Sequence, residues 1–113
     1  MHIKHILIQF KQMILKRQEK DNKIKAIFDS SNILASTYDT TSNELIIIFT
    51  SGNQYSYKNV SKSDYMRFEI AESQGKVFNS HIKKYETIKL EAVDTTKIIA
   101  ESHKLYSEEK QAL

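Results

Sequence analysis

Cysteine is absent from this 113-residue sequence, which excludes disulfides, thiolate chemistry and zinc sites built on sulfur. Glycine occurs only twice, whereas a cradle of backbone amides for phosphate normally needs more. The sequence also has no paired-carboxylate constellation and no nucleophile elbow. We therefore predict that the protein is not an enzyme and has no catalytic residue and no cofactor.

Long apolar runs are absent as well. The longest is Leu45-Ile46-Ile47-Ile48-Phe49, far shorter than a membrane span. The N-terminus lacks a continuous apolar segment and a small-residue cleavage site, so we expect no signal peptide and a cytoplasmic protein. The 40% hydrophobic and 27% charged content is typical of an ordinary globular domain.

Charge alternates along the chain and does not collect in one basic tail. The net charge is +5 over residues 1–28, −3 over 29–53, +3 over 54–85 and −2 over 86–113, in agreement with +3 for the whole chain. A single continuous basic segment would be typical of nucleic-acid binding. Alternation also fits solvated faces, or subunits and elements that dock by complementary charge.

Residues 2–28 are predicted to form one long amphipathic helix. No glycine or proline interrupts it, and apolar residues recur at helical spacing at Ile3, Leu7, Phe10, Ile14, Ile24 and Phe28. At 1.5 Å per residue the helix would reach roughly 40 Å, more than the width of a small domain. We expect it to cover the sheet, to bend near Lys20-Asp21-Asn22, to join subunits of a homo-oligomer, or to lie on a membrane surface.

Three strand patterns follow, at Ile33 to Tyr38, Glu44 to Thr50 and Gln54 to Lys58. A turn cluster, in which Asp39 is expected to cap the turn, separates the first two, and a tight turn around Gly52 separates the last two. They predict an antiparallel meander. The second strand is apolar on both faces, so both faces of the sheet should be covered.

The rest of the chain is mostly helical in pattern. Ser61 and Asp64 match a capping box at the start of a helix. This helix is expected to run to about Ser73, and Gly75 is expected to stop it. A short helix over 77–85, a short fourth strand near Ile88 and a last helix after residue 94 complete the pattern. The predicted fold class is α+β, with a long N-terminal helix, a three- to four-stranded antiparallel meander, and helices packed on the sheet.

The middle of the chain carries short motifs in a distinctive order. They are Ser31-Asn32-Ile33, Tyr38-Asp39, Phe49, Gly52, Tyr55-Ser56-Tyr57, Val60, Tyr65, Phe68, Ala71-Glu72-Ser73, Gly75, Phe78-Asn79, Ile82 and Tyr85. In order and spacing they resemble the KTSC domain, a small module named for its presence at the C-terminus of some lysyl-tRNA synthetases and also found as stand-alone bacterial or phage proteins. The family has no established activity, and its association with tRNA synthetases implies RNA binding.

This resemblance divides the chain into three parts. Residues 1–28 are the predicted N-terminal helix, for oligomerisation or sheet cover. Residues 29–86 are the KTSC-like domain, and residues 87–113 are a strand and helix extension. Neither flank belongs to the module, so a function of the flanks cannot be taken from the family.

Tyr55 and Tyr57 are the leading candidates for ligand contact, because they share one face of a strand and Lys58 follows them. Base stacking on such rings contributes about 1–3 kcal/mol per base, and nearby lysines neutralise phosphates. Further candidates for phosphate or base contact are Arg67, Lys76, Asn79, Lys83 and Lys84. Alternatively, one tyrosine belongs to the core and Asn79 caps a helix. His2 and His5 are three residues apart, but without a nearby carboxylate we predict no metal site.

Two functional hypotheses remain open. The first is a non-enzymatic module that binds RNA or another nucleic acid. The second is a phage-encoded oligomer that sequesters a nucleotide-type small ligand or inhibits a host defence protein. The first predicts binding that weakens steeply with salt, and the second predicts a closed pocket with a stoichiometric ligand. Neither requires a membrane partner.

Overall fold

A computed structural model describes residues 14–111, with side chains as far as residue 108. It contains one six-stranded sheet in which every strand pairs antiparallel with the next strand in the chain. The strands are β1 (Ile14–Lys20), β2 (Lys23–Phe28), β3 (Ile33–Asp39), β4 (Leu45–Phe49), β5 (Gln54–Tyr57) and β6 (Thr87–Leu90). Between β5 and β6 come α1 (Lys62–Glu69), α2 (Gln74–Val77) and a π-helical turn (Phe78–Ile82), and α3 (Thr96–Gln111) ends the chain. The fold is α+β, as predicted.

The long N-terminal helix was a wrong prediction for residues 14–28, which form the β1–β2 hairpin. Asp21 and Asn22 have φ values of 54° and 63° at the turn, the positive pair that a type I′ hairpin turn requires. In β2, buried Ile24, Ala26 and Phe28 alternate with Lys23, Lys25 and Ile27, which are more exposed. The predicted helix over residues 2–13 lies outside the described residues. The hypothesis that a helix over residues 1–28 joins subunits depended on a continuous apolar stripe along that helix. Because residues 14–28 form strands, that stripe does not exist.

The predicted meander is confirmed for β3, β4 and β5, and the sheet continues beyond it on both sides. A bulge between Ile33 and Ala35 shifts the register of β3 against β4. Four successive residues of β3, 33 to 36, are buried, so this strand is covered on both faces.

The main core lies between one face of the sheet and α1. Phe68 of α1 packs edge-on against Phe28, with 5.3 Å between ring centroids. Tyr65 stacks on Tyr38 with its ring parallel to within 2° and 4.2 Å away. The Tyr38 hydroxyl donates a 2.7 Å hydrogen bond to the Val60 carbonyl, so the polar end of this buried ring is satisfied.

Capping of α1 agrees with the prediction at one end only. The Ser61 hydroxyl accepts a hydrogen bond from the Asp64 amide at 3.1 Å, as expected for the N-cap. The helix ends at Glu69, and Gly75 lies inside α2 instead of stopping α1.

An ion pair fastens β1 to α1. Arg17 Nε donates to Glu69 Oε1 at 2.8 Å, and the Tyr65 hydroxyl donates to the same oxygen at 2.8 Å. The Glu69 side chain is 7% exposed and that of Arg17 is 39% exposed. Arg17 and the Tyr65 hydroxyl therefore together offset the cost of burying the Glu69 carboxylate.

Replacing Arg17 by methionine is expected to lower the free energy of unfolding by about 1–3 kcal/mol, because the buried Glu69 carboxylate would lose its cation. Urea denaturation monitored by circular dichroism measures this loss. Lys16→Met is the matched control on the same strand: Lys16 pairs with Glu101 at 2.8 Å, but both side chains are more than 40% exposed. That pair contributes at most about 1 kcal/mol. Equal losses in the two variants would contradict the prediction.

The opposite face of the sheet, called here the outer face, is covered over β1, β2 and β3 by α3. The Lys16–Glu101 pair joins β1 to this helix. Ser102 is the buried polar residue of this helix, and its hydroxyl donates to the Ile99 carbonyl at 2.8 Å. Within residues 14–111, no helix is both long and apolar enough to cross a membrane.

Candidate functional site

A pocket of about 360 Å³ opens at the end of the sheet where the β2–β3 loop and the β4–β5 turn meet the helical segment after α1. We call it the end pocket. Its walls are Asn32, Ile33, Phe49, Thr50, Ser51, Asn53, Tyr55, Gly75, Phe78 and Asn79. Its volume falls in the lower part of the range for small-ligand sites. It therefore suits one nucleoside-sized group, not a folded partner.

Two hydrogen bonds from Thr50 hold two walls of the end pocket together. The Thr50 amide donates to the Asn32 carbonyl at 2.8 Å, and the Thr50 hydroxyl donates to the Ser31 carbonyl at 3.2 Å. The β2–β3 loop and the β4–β5 turn thus form one unit, and the pocket rim is built before any ligand arrives.

Gly52 shapes the β4–β5 turn. Its φ is +94°, which residues with a side chain rarely adopt. Its carbonyl accepts a 2.9 Å hydrogen bond from the Val93 amide, and a Cβ at Gly52 would lie 2.7 Å from the Val93 carbonyl oxygen. The chain leading into α3 therefore passes directly over this turn.

Aromatic rings form the floor and one side of the end pocket. Phe49 meets Tyr55 edge-to-face at 5.8 Å between centroids and meets Phe78 at 5.5 Å. Tyr57 supports Phe78 from the core side at 5.6 Å. Phe49, Tyr55 and Phe78 pack against the core and are only partly buried. The pocket thus offers apolar aromatic surface of the kind on which a nucleobase packs.

Three asparagines supply its polar rim: Asn32, Asn53 and Asn79. Among the described residues, none of their side-chain amides forms a hydrogen bond with protein. Each amide carries two donors and an acceptor, which can pair with the edge of a base. We predicted Asn79 but missed Asn32 and Asn53 as ligand candidates. Their positions beside strand ends were the available signal.

The structure brings Tyr55 and Asn79 together in the end pocket, although they are far apart in the sequence. Lys76 and Lys83 are exposed and lie three residues before and four residues after Asn79 along the same helical segment. Lys76 is in α2, and Lys83 directly follows the π-helical turn that contains Asn79.

Two predicted ligands are placed elsewhere. Tyr57 is 4% exposed and belongs to the core, where burial raises the pKa of its hydroxyl to about 12. Lys58 donates to Glu44 Oε2 at 2.8 Å on the outer face, where Ser56 donates to the same oxygen at 2.5 Å. Both bonds lower the pKa of the Glu44 carboxyl, and the bond from Lys58 has the larger effect. Tyr55 and Tyr57 share a face as predicted, but only Tyr55 reaches the pocket.

Arg67 and Lys84 surround Asp64. The Lys84 ammonium lies 3.2 Å from Asp64 Oδ2 and the Arg67 guanidinium 3.9 Å from Oδ1. The Tyr85 hydroxyl donates to Asp64 at 2.5 Å, and this bond, followed by that of Lys84, lowers the pKa of the carboxyl. Both cations are therefore partly neutralised by protein and are weaker phosphate ligands than the sequence indicated.

The described part of the chain holds no group of three or more histidine, aspartate or glutamate side chains that could bind a metal ion. His2 and His5 lie outside that part. The chemistry available at the end pocket is aromatic packing and amide hydrogen bonding.

Comparison with known proteins identifies the central domain. The family described as KTSC domain matches residues 29–85. Among solved structures, the crystal structure of a KTSC domain protein from Yersinia pestis is similar, with a TM-score of 0.56 and 30% sequence identity over 67% of this chain and 97% of that one. The comparison with curated proteins gives no match.

Proposed function

The chain belongs to the KTSC domain family, and we propose that its KTSC domain binds single-stranded RNA by taking one base into the end pocket. The observation that supports the proposal is the convergence of Tyr55, Phe49 and Phe78 with three asparagine amides around one nucleoside-sized cavity. Single-stranded RNA is recognised through such a combination, because unpaired bases expose both an aromatic face and a hydrogen-bonding edge.

The charges near the pocket support a contact with backbone phosphate as well. Lys76 and Lys83 flank Asn79 along one helical segment, and both are exposed. A strand with one base in the pocket can pass along this segment, with its phosphates near the two ammonium groups. The role of the pocket is recognition, with no bond made or broken.

Replacing Tyr55 by alanine is expected to weaken binding of a fluorescent ten-nucleotide RNA by about 5- to 150-fold. This range corresponds to the roughly 1–3 kcal/mol that stacking of one base contributes. Fluorescence anisotropy at 50 mM salt measures the affinity, with homopolymers of each base compared. Asn79→Ala should change the ranking of the four bases, because it removes an amide that reads the base edge.

The matched control is Ile70→Ala, which truncates an apolar side chain that is 70% exposed and lies outside the pocket. It should leave the affinity unchanged. Equal affinities of the Tyr55→Ala and Ile70→Ala variants, both shown to be folded by circular dichroism, would contradict the proposal.

A single nucleotide is the second candidate ligand, because the end pocket holds about one nucleoside-sized group and is bordered by few cations. Isothermal titration with mononucleotides and cyclic nucleotides distinguishes the two. Stoichiometric binding of a mononucleotide as tight as that of the RNA would assign the pocket to a small ligand. Light scattering on the same samples would then test whether the binding unit is an oligomer.

A further inference from the structure

The β1–β2 hairpin carries three lysines on one face. Lys20 and Lys23 pair directly across the turn, and Lys25 follows two residues later on the same face of β2, opposite Gln18. We call these three lysines and Gln18 the basic hairpin face. Together with Asp21 they line a groove of about 610 Å³ on the outer face of the sheet.

These lysines are available to a ligand. All three are exposed, and none forms an ion pair within 4 Å among the described residues. Two carboxylates face these lysines: Asp21 lines the same groove at the turn, and Asp39 is opposite Lys23 on β3. Asp39 is mainly engaged by the Thr41 and Ser42 amides, at 2.8 and 3.1 Å. Neighbouring strands therefore hold Lys20 and Lys23 against each other, an arrangement that costs stability until an anion lies between them.

The groove adjoins a second cavity. Gln18 and Lys25 also border this cavity of about 220 Å³ beneath α3, whose other walls include Ile27, Ala35, Ile98 and the Lys16–Glu101 pair. The basic hairpin face therefore lies beside an apolar cavity and shares two residues with it.

This surface is separate from the end pocket. The hairpin turn lies at the end of the sheet opposite to the β2–β3 loop and the β4–β5 turn, about 20 Å away for strands of this length at 3.3 Å per residue. It also lies on the other face of the sheet and outside residues 29–85, which match the family.

We propose that the basic hairpin face binds the phosphodiester backbone of a nucleic acid without reading its bases. Lysine ammonium groups are point charges that pair with phosphate in many orientations. The groove has no aromatic side chain, so it lacks both a stacking platform for bases and the anchor that a protein partner would normally use.

An abasic oligonucleotide tests this proposal without the base contacts of the end pocket, because it has phosphates but no bases. Affinity for a 15-residue abasic strand is measured by anisotropy between 50 and 200 mM salt for the wild type and for the Lys20→Gln, Lys23→Gln, Lys25→Gln triple variant. Loss of three phosphate contacts should reduce the slope of log K against log salt by about 2 and weaken binding roughly tenfold at 50 mM.

The control triple variant, Lys62→Gln, Lys97→Gln, Lys104→Gln, makes the same change in net charge at exposed positions on the helices. It should retain most of the wild-type slope. Equal slopes in the two triple variants would overturn the proposal. So would binding of a glutamate-rich peptide as tight and as sensitive to the hairpin lysines as that of the abasic strand, because the surface would then serve acidic proteins.

Discussion

Replacing Phe68 by alanine is expected to lower the free energy of unfolding by about 3–5 kcal/mol, a large part of the stability of a domain of this size. Phe68 is completely buried and is the residue of α1 that packs edge-to-face on Phe28 of β2. Its removal leaves a cavity between helix and sheet that the neighbouring Tyr65 and Tyr38 cannot fill, because their stacked rings are held by the Tyr38–Val60 and Tyr65–Glu69 hydrogen bonds.

Urea denaturation of both variants by circular dichroism measures the difference between Phe68→Ala and its control, Met66→Ala. Met66 is on the same helix and is 45% exposed, so its truncation should change stability by no more than about 0.5 kcal/mol. A loss at Phe68 no larger than that at Met66 would show that α1 does not depend on this contact.

Replacing Gly52 by alanine is expected to lower the free energy of unfolding by about 2–3 kcal/mol. Part of the cost is the φ of +94°, which a residue with a Cβ adopts under strain, and the rest is the 2.7 Å approach of that Cβ to the Val93 carbonyl oxygen. The segment leading into α3 would have to move away, and the hydrogen bond from the Val93 amide to the Gly52 carbonyl would be lost or stretched. Because the neighbouring Ser51 and Asn53 line the end pocket, RNA affinity should fall in the same variant.

Gly75→Ala is the matched control for stability. Gly75 lies inside α2, and a Cβ there would meet no atom nearer than 4.0 Å. Alanine at this position should be neutral or should stabilise by up to about 1 kcal/mol, since it reduces the entropy of the unfolded chain. Thermal and urea denaturation should therefore show a loss of stability for Gly52→Ala and no loss for Gly75→Ala, and similar losses in the two variants would refute the conformational argument for Gly52.

The strands at the centre of the fold were predictable because local signals agreed there. β-branched runs formed β3 and β4, and the Asp39 carboxylate caps the turn between them by accepting from the Thr41 and Ser42 amides, as expected. The short fourth strand and the last helix were also placed correctly, as β6 and α3. In these segments the hydrophobic period and the turn residues favoured the same structure.

The β1–β2 hairpin was missed because its signals conflict. Ile24, Ile27 and Phe28 fit helical spacing, and the lysines, glutamine and glutamate of β1 favour helix intrinsically. The strand conformation comes from pairing with β3, a contact that no local pattern displays. The available signal was Asp21-Asn22 between two alternating segments, which favours a two-residue hairpin turn.

The site was partly predictable for a similar reason. Aromatic and amide side chains identified Tyr55 and Asn79, which the fold brings together. Charge alone could not show which cations are already paired, so Lys58, Arg67 and Lys84 were grouped with Lys76 and Lys83. Glu44 and Asp64, which pair with Lys58 and Lys84, are distant from them in the sequence. Arg67 follows Asp64 by three residues on the same face of α1, so that pair was the one the sequence could have shown.

The order of the strands leaves β1 and β6 at the two borders of the described sheet. Such borders expose unpaired amides and carbonyls that can recruit a strand from another molecule and start aggregation. β1 presents the exposed run Lys16 to Glu19 and ends in Lys20, and β6 is only four residues long and contains Lys89. Burying these ammonium and carboxylate groups against a copy of themselves would cost more than the added backbone bonds return. Lys20, one of the three lysines that we propose to hold phosphate, thus also helps the protein to resist growth into fibrils.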